Sequence, residues 1–136
     1  MKIDRIFVLL TLVGAMVSGC STTTVQRYGS VIGVKEESLD KYKELHANPW
    51  PEINAKLKDV NIQSYSIYLT PFPDGKYYLF SYFEYVGDDF EADMKKMADD
   101  PTIRKWWKEI DSCQFPLDNR AEGEWWKSMK EVYHLD

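Results

Sequence analysis

The spacing of apolar residues changes several times along this chain, and the order of these changes is what most limits the possible folds. Three stretches rich in β-branched and aromatic residues predict strands, and two longer stretches have apolar side chains at helical spacing. The strand-like stretches are 25–34, 61–69 and 76–85, and the helical ones are 36–60 and 90–110. Pro73-Asp74-Gly75 predicts a hairpin turn between the second and third strands, and residues 131–135 predict a final strand. The resulting order β-α-β-β-α-β predicts an α+β fold, the ferredoxin-like split βαβ arrangement with helices on one face of an antiparallel sheet.

Proline residues divide both helical stretches. Pro49 and Pro51 end one helix and begin the next, because proline is tolerated in the first turn of a helix but not in its interior. His46 lies just before this break and one turn after Tyr42, so the two side chains should share a helix face. Pro101 divides the second stretch in the same way.

The sheet face away from the helices also carries apolar residues in this pattern. Val31, Ile67 and Phe80 are expected to need cover on both sides of the sheet. A second copy of the chain would supply it, so we expect a homodimer that forms a dimeric α/β barrel.

The N-terminus predicts an export signal. Lys2 and Arg5 precede an apolar run that is short for a membrane span, and Val17-Ser18-Gly19-Cys20 resembles a bacterial lipobox. We therefore expect a lipoprotein signal peptide over residues 1–20, a lipidated Cys20, a tether at 21–24 and one domain at 25–136. This predicts a protein anchored to a membrane of the cell envelope. The alternative is an uncleaved anchor in which Cys20 is incidental.

The composition limits the classes of molecule that this chain could bind. A formal net charge of -5 argues against nucleic acid, and an aromatic content of 15% suits a substrate that is part apolar and part hydroxyl, such as a sugar. With 2 Cys and 2 His the chain shows no recognised metal-ligand spacing, so we expect a mechanism without a metal ion.

The candidate site residues have ordinary structural explanations when each is taken alone. Tyr42, Tyr65 and the Trp106-Trp107 pair would usually be core residues, and a lone histidine is more often structural than catalytic. The position of His46 before the proline break favours function, with His134 as the alternative base.

These residues together resemble the L-rhamnose mutarotase family. The resemblance rests on Tyr42-x-x-x-His46 followed by Trp50-Pro51-Glu52, on the later Trp106-Trp107 pair, and on the segments 28–33, 61–69 and 132–135. It runs from Arg27 to the end of the chain.

The resemblance implies a ferredoxin-like dimer that interconverts the α and β anomers of a 6-deoxy aldose, L-rhamnose or L-fucose, without metal or organic cofactor. It places the acid/base on His46 and sugar contacts on Tyr42, Tyr65, Trp106 and Trp107. Arg27 and Asn119 match less diagnostic positions. The best-known family members are cytoplasmic enzymes of sugar catabolism, so the predicted export signal departs from the family pattern.

Two other functions fit the same fold. One is a sugar-binding envelope lipoprotein without turnover, and the other is a cofactor-free monooxygenase-type dimeric α/β barrel. The fold alone does not separate them from a mutarotase.

Overall fold

The computed structural model describes residues 24–136, which form one curled antiparallel sheet with helices packed against it. The predicted signal peptide and Cys20 lie outside the described residues, as does the tether up to residue 23. The strands are β1 (Gln26–Val34), β2 (Ile62–Pro71), β3 (Tyr77–Tyr85), β4 (Gln114–Phe115) and β5 (Lys127–Met129). The helices are α1 (Leu39–Ala47), α2 (Pro51–Asp59), α3 (Phe90–Asp99) and α4 (Pro101–Asp111), with a 3₁₀ turn at Glu36–Ser38.

The sheet has the strand order β2-β3-β1-β4, and all of its pairings are antiparallel. This confirms the predicted ferredoxin-like arrangement. The outer position beside β1 is shared, because β4 pairs with Gly33 and Val34 while β5 pairs with Gly29–Val31. Thus the segment after α4 returns twice to the same strand edge.

The predicted C-terminal strand at 131–135 is wrong. Strand pairing ends at Met129, and residues 130–136 have no regular secondary structure. Val132, Tyr133 and Leu135 are at least 77% exposed. Their β-branched and aromatic side chains favour a strand, but in the described chain no strand edge pairs with them.

The two faces of the sheet differ. Leu79 and Ile32 lie on the helix side, in one buried cluster with Tyr42 of α1. The alternate residues of β3 face outward, where Phe80 lies opposite Val31 on β1 and Tyr68 on β2. Ile67 lies against the helix-side cluster, so its predicted place among residues needing outer cover is wrong.

Strand β2 contains a β-bulge that the regular alternation at 61–69 did not predict. Gln63 pairs with Glu84 and Ser66 pairs with Tyr82, so two residues of β2 stand opposite one residue of β3. Ser64 adopts a positive φ of 51°, the left-handed conformation that is uncommon outside glycine. The extra residue shifts the alternation, so that Ile62 before the bulge and Ile67 after it both pack on the helix side.

The helix boundaries follow from local chemistry. Helix α1 ends at Ala47 before Pro49, and α2 begins with Pro51 in its first turn, as the sequence predicts. Helix α4 begins after Asp100, whose Oδ1 accepts the backbone N–H groups of Thr102 and Ile103. These two boundaries set the directions of the helix faces that carry His46 and the tryptophan pair.

Candidate functional site

A cavity of about 670 Å³ lies between the helices and the sheet. Its wall is mainly apolar and aromatic, with a few polar groups, which is the usual character of a small-molecule site. The four helices, strands β2 and β3, and the segment before β5 contribute side chains. The five site residues predicted from the sequence all line it: Tyr42, His46, Tyr65, Trp106 and Trp107.

His46 is held by its neighbours in one orientation. Its ring stacks on Tyr42 with 4.2 Å between centroids and meets the edge of Trp106 at 5.6 Å. Its Nδ1 lies 2.9 Å from the backbone carbonyl oxygen of Tyr42. Because a carbonyl oxygen only accepts, Nδ1 carries the hydrogen in this bond, and in the neutral ring the lone pair is on Nε2.

The surroundings of His46 favour the neutral imidazole. Burial lowers the pKa of His46 below its usual 6.5, and the hydrogen bond to the Tyr42 carbonyl only partly opposes this. The ring is therefore mostly neutral at neutral pH. A neutral imidazole with a free Nε2 is suited to accept a proton from a ligand hydroxyl.

The Tyr42 hydroxyl is buried without a partner. The residue is 5% exposed, and its oxygen makes no hydrogen bond within the described part of the chain. Burial raises the pKa of Tyr42, and the nearby Tyr65 adds to the effect, while the Gln114 side chain only partly offsets it. A buried hydroxyl left unpaired costs free energy, so this group is available to a polar atom of a ligand.

Gln114 continues this polar region of the site. It is 2% exposed, and its Oε1 accepts the indole N–H of Trp125 at 2.9 Å. Its Nε2, like the Tyr42 hydroxyl, makes no hydrogen bond of ordinary geometry among residues 24–136, although the two groups are near enough for Gln114 to lower the pKa of Tyr42 slightly.

Tyr65 reaches the cavity because of the bulge in β2. It follows Ser64 directly, and its ring meets the edge of Phe83 at 5.5 Å. Desolvation raises the pKa of Tyr65, so its hydroxyl stays protonated and can both donate and accept.

The two adjacent tryptophans differ in exposure. Trp106 is 4% exposed and belongs to the core cluster, where it also meets the edge of Trp50 at 5.4 Å. Trp107 is half-buried at the cavity wall. Trp107 therefore has more freedom to contact a ligand, whereas Trp106 also supports His46.

The weaker sequence candidates lie elsewhere. His134 is in the exposed C-terminal segment, where its Nε2 is 3.1 Å from Asp136. Arg27 also reaches Asp136, and the backbone carbonyl of Asn119 accepts from Lys127. None of the three lines the cavity.

The sequence reasoning missed several cavity residues: Asn54, Asp111, Trp125 and Trp126. The second tandem tryptophan was a visible signal, but it lies before the strand predicted at 131–135, in residues for which the sequence predicted no element. Asp111 is the last residue of α4, where a charged side chain normally indicates a solvated helix end.

The arrangement combines an apolar aromatic wall with groups that exchange protons. It can hold a molecule that has both hydroxyl groups and apolar faces, and it can move a proton to or from a hydroxyl at Nε2 of His46. Among residues 24–136 no group of three His, Cys, Asp or Glu side chains is placed to hold a metal ion.

Comparison with known proteins identifies one family that this chain resembles. The sequence profile of the L-rhamnose mutarotase family matches residues 27–135. An L-rhamnose mutarotase from Lactiplantibacillus plantarum is 31% identical over 110 residues, which are 81% of this chain and 98% of the relative. Another from Bacillus subtilis is 31% identical over 112 residues, 82% of this chain and 100% of the relative.

A solved structure shares the fold. The crystal structure of an L-rhamnose mutarotase from Formosa agariphila superposes with a TM-score of 0.61 at 22% identity. The match covers 82% of this chain and 99% of the other.

The predicted location in the cell envelope is wrong by these comparisons. The relatives that match this chain are named as L-rhamnose mutarotases, and nothing in the matches supports a lipoprotein. Within residues 24–136 no helix is long and apolar enough to cross a membrane. The short apolar run at the N-terminus, on which the prediction depended, lies outside the described residues.

The family match spans nearly all of the described chain. Two relatives above 30% identity are covered almost from end to end, and the predicted fold is present. The chain therefore belongs to the L-rhamnose mutarotase family, whose members are isomerases that act on carbohydrates.

Proposed function

We propose that this protein is an aldose mutarotase that interconverts the α and β anomers of L-rhamnose, with L-fucose as a second candidate substrate, and that His46 is its acid/base. The observation that carries the proposal is the His46 ring. It is held by the Tyr42 carbonyl so that Nε2 has the lone pair, in the wall of an aromatic cavity.

Mutarotation requires little more than controlled proton transfer. A proton leaves the anomeric hydroxyl while another reaches the ring oxygen, the ring opens to the aldehyde, and the reverse steps close it on the other face. Imidazole can accept and return a proton near neutral pH, and such a positioned group typically contributes about 10²–10⁴-fold in rate.

The other predicted residues would bind the sugar. The unpaired hydroxyl of Tyr42 and the hydroxyl of Tyr65 are suited to sugar hydroxyls. The Trp107 ring offers a flat apolar face to ring carbons and to the methyl group of a 6-deoxy sugar.

The test is saturation-transfer NMR of anomer exchange with L-rhamnose, L-fucose and other aldoses. We expect the wild-type protein to accelerate exchange of at least one 6-deoxy aldose. His46→Ala should lower the catalysed rate by at least about 10²-fold without lowering the melting temperature much.

His134→Ala is the matched control, because that histidine lies in the exposed C-terminal segment. It should exchange anomers at the wild-type rate. Sugar binding without accelerated exchange in the wild-type protein would contradict the proposal and favour the sugar-binding alternative. Oxidation of a planar aromatic substrate without anomer exchange would favour the monooxygenase alternative.

We also propose that the active form is a homodimer joined through the outer sheet face. Aromatic residues follow one another across this face, with Phe72 packed on both Tyr78 and Phe80. Tyr68, opposite Phe80 in the sheet, is 66% exposed. Such a continuous apolar patch is typical of an interaction surface.

Light scattering on the purified protein tests the dimer. We expect twice the mass of one chain, and we expect Tyr68→Lys to shift the protein toward the monomer. Lys43→Ala, on an exposed position of α1, should not change the mass. A wild-type protein that is monomeric at micromolar concentration would contradict this part of the proposal.

A further inference from the structure

Asp111 is a carboxylate in the cavity wall that the proposed function does not use. It is the last residue of α4 and lies one turn after Trp107, which also lines the cavity. Residues four apart on a helix share a face, so the side chain is directed to the same side as the Trp107 ring. It is the only Asp or Glu among the cavity residues of the described chain.

Asp111 has no compensating partner. Within residues 24–136 its side chain makes neither a hydrogen bond nor an ion pair, whereas Glu109, two residues earlier, pairs with Lys41 at 2.9 Å. A negative charge at a helix C-terminus is also disfavoured by the helix dipole. The carboxyl group is half-buried at the cavity wall and is held by no other side chain of the described residues, so it is available to a polar atom of a ligand.

The titratable groups that face this cavity are His46 and Tyr42 on α1, Tyr65 on β2 and Asp111 on α4. Burial raises the pKa of Asp111 and lowers the pKa of His46, so the two values approach each other. The pKa values of both tyrosines are raised, so these phenols stay protonated. As the two pKa values approach each other, proton transfer between either group and one substrate becomes less costly in both directions.

We infer that Asp111 is a second catalytic residue, which exchanges a proton with the sugar opposite His46 during ring opening and closure. This inference rests on the proposed mutarotase function and extends it.

The proton balance closes over one turnover. On opening, Nε2 of His46 takes the proton of the anomeric hydroxyl, the C1–O5 bond breaks as C1=O1 forms, and the Asp111 carboxyl gives its proton to O5. After rotation about C1–C2, the O5 hydroxyl adds to the other face of the aldehyde. Its proton returns to Asp111, and His46 returns a proton to O1. No oxidant or other co-reactant is needed.

The first test is Asp111→Asn, which keeps the shape of the side chain and removes its acid function. We expect kcat for anomer exchange to fall by about 10- to 10²-fold while KM changes less than about twofold. The pH profile of kcat should keep the limb set by His46 and lose the limb set by Asp111. Asp118→Asn, at an exposed loop position outside the cavity, is the matched control and should keep the wild-type values.

Stability gives a second readout. Because the folded protein raises the pKa of Asp111, ionisation of this group destabilises the fold as pH rises above the usual carboxyl range. Asp111→Asn should therefore melt no lower than wild type at pH 7. A merely structural carboxylate would give the opposite, a lower melting temperature with an unchanged pH profile.

Chemical rescue provides a test that does not depend on the amide side chain introduced by Asp111→Asn. Asp111→Ala leaves room for a small carboxylic acid, and added formate should restore part of its exchange rate while leaving His46→Ala unchanged. Wild-type kcat in Asp111→Asn, or a loss expressed only in KM, would overturn the inference. Absence of any anomer exchange in the wild-type protein would instead overturn the proposed function on which it rests.

Discussion

Two regions of this protein bury polar side chains, and they treat them in opposite ways. At the end of the sheet near α3, Asp93 is 4% exposed and accepts hydrogen bonds from Tyr85, Asn61 and Lys96 at 2.7–2.8 Å. Tyr85 in turn accepts the backbone N–H of Asp89. At the cavity, by contrast, the Tyr42 hydroxyl and the Gln114 Nε2 atom are buried and make no hydrogen bond of ordinary geometry within the described chain.

This difference in hydrogen bonding distinguishes groups that stabilise the fold from groups that bind a ligand. A fully paired polar network stabilises one conformation, whereas an unpaired buried group costs stability unless a ligand completes it. The Asp93 network therefore indicates a structural role, and the cavity groups indicate a binding role. The following experiments test that division, in order of decreasing effect.

The largest effect is expected from Asp93→Ala. This change leaves Tyr85, Asn61 and Lys96 without their common acceptor, and removing one partner from a buried charged network is strongly destabilising. We expect the melting temperature measured by circular dichroism to fall by at least about 10 °C. Asp88→Ala, one position before Asp89 and without a partner in the network, is the control. A melting temperature near wild type in Asp93→Ala would remove the structural side of the comparison.

The sharpest test removes one hydroxyl from each region. Tyr85→Phe should lower the melting temperature by roughly 5 °C and leave anomer exchange unchanged, because its hydroxyl joins Asp93 to the loop at Asp89. Tyr42→Phe should keep or raise the melting temperature and weaken sugar binding by about tenfold, because its hydroxyl makes no hydrogen bond of ordinary geometry among residues 24–136. Melting curves and sugar titrations on both variants measure the two effects. If both variants lost only stability, the two regions would not differ in role.

Stability and exchange activity should also depend on pH in different ways, the first through Asp93 and the second through His46. The pKa of Asp93 is held at about 2, mainly by its hydrogen bond from Lys96, so its contribution to the free energy of unfolding is present above about pH 4 and lost as pH falls toward 2. His46 must be neutral to accept a proton, and its pKa lies below 6.5, so exchange activity should fall in mildly acidic solution while the fold persists. Activity and circular dichroism measured from pH 8 to pH 2 should give two separate transitions. Coincident transitions would show that loss of activity is only unfolding.

The smallest effect is expected at Trp125. It is 41% exposed at the cavity wall, and its indole N–H donates to Gln114. Trp125→Phe keeps an aromatic face but loses that bond, so we expect sugar affinity to fall by only about two- to fivefold, with little change in melting temperature. Calorimetric titration with the best substrate is the measurement. A loss as large as that of Tyr42→Phe would place Gln114 and Trp125 at the centre of binding.

Much of the fold could be predicted because local chemistry determines it. The breaks at Pro51 and Pro101, the Asp74-Gly75 turn and the helical spacing around Tyr42 each depend on a few neighbouring residues, and the structure agrees with them. The family resemblance added five principal site residues that all line one cavity, whereas its weaker matches, Arg27 and Asn119, do not line it.

The parts that were not predicted depend on distant contacts. In the structure, residues 127–129 pair with β1, whereas the sequence predicts a strand at 131–135. The choice between them depends on which part of the β1 edge is free, and a local sequence pattern does not contain that information. The positions of Asp111 and Trp125 in the cavity likewise depend on how α4 and the following segment meet α1 and β2. The predicted envelope location failed for another reason, since it depended on a terminal segment that lies outside the region matched to the relatives.

The bulge at Ser64 makes the site depend on residue count as well as residue identity. Tyr65 and Ile62 face the helices together only because one extra residue lies between the paired positions Gln63 and Ser66. Inserting one residue between Gln63 and Ser64 would leave every side chain that lines the cavity in the sequence, yet with a single bulge retained it would turn Ile62 and Tyr65 to opposite faces of the sheet. A comparison of relatives that scores only matched amino acids would miss such a loss, so an intact spacing across this strand is itself a criterion for judging whether a distant relative keeps the same pocket.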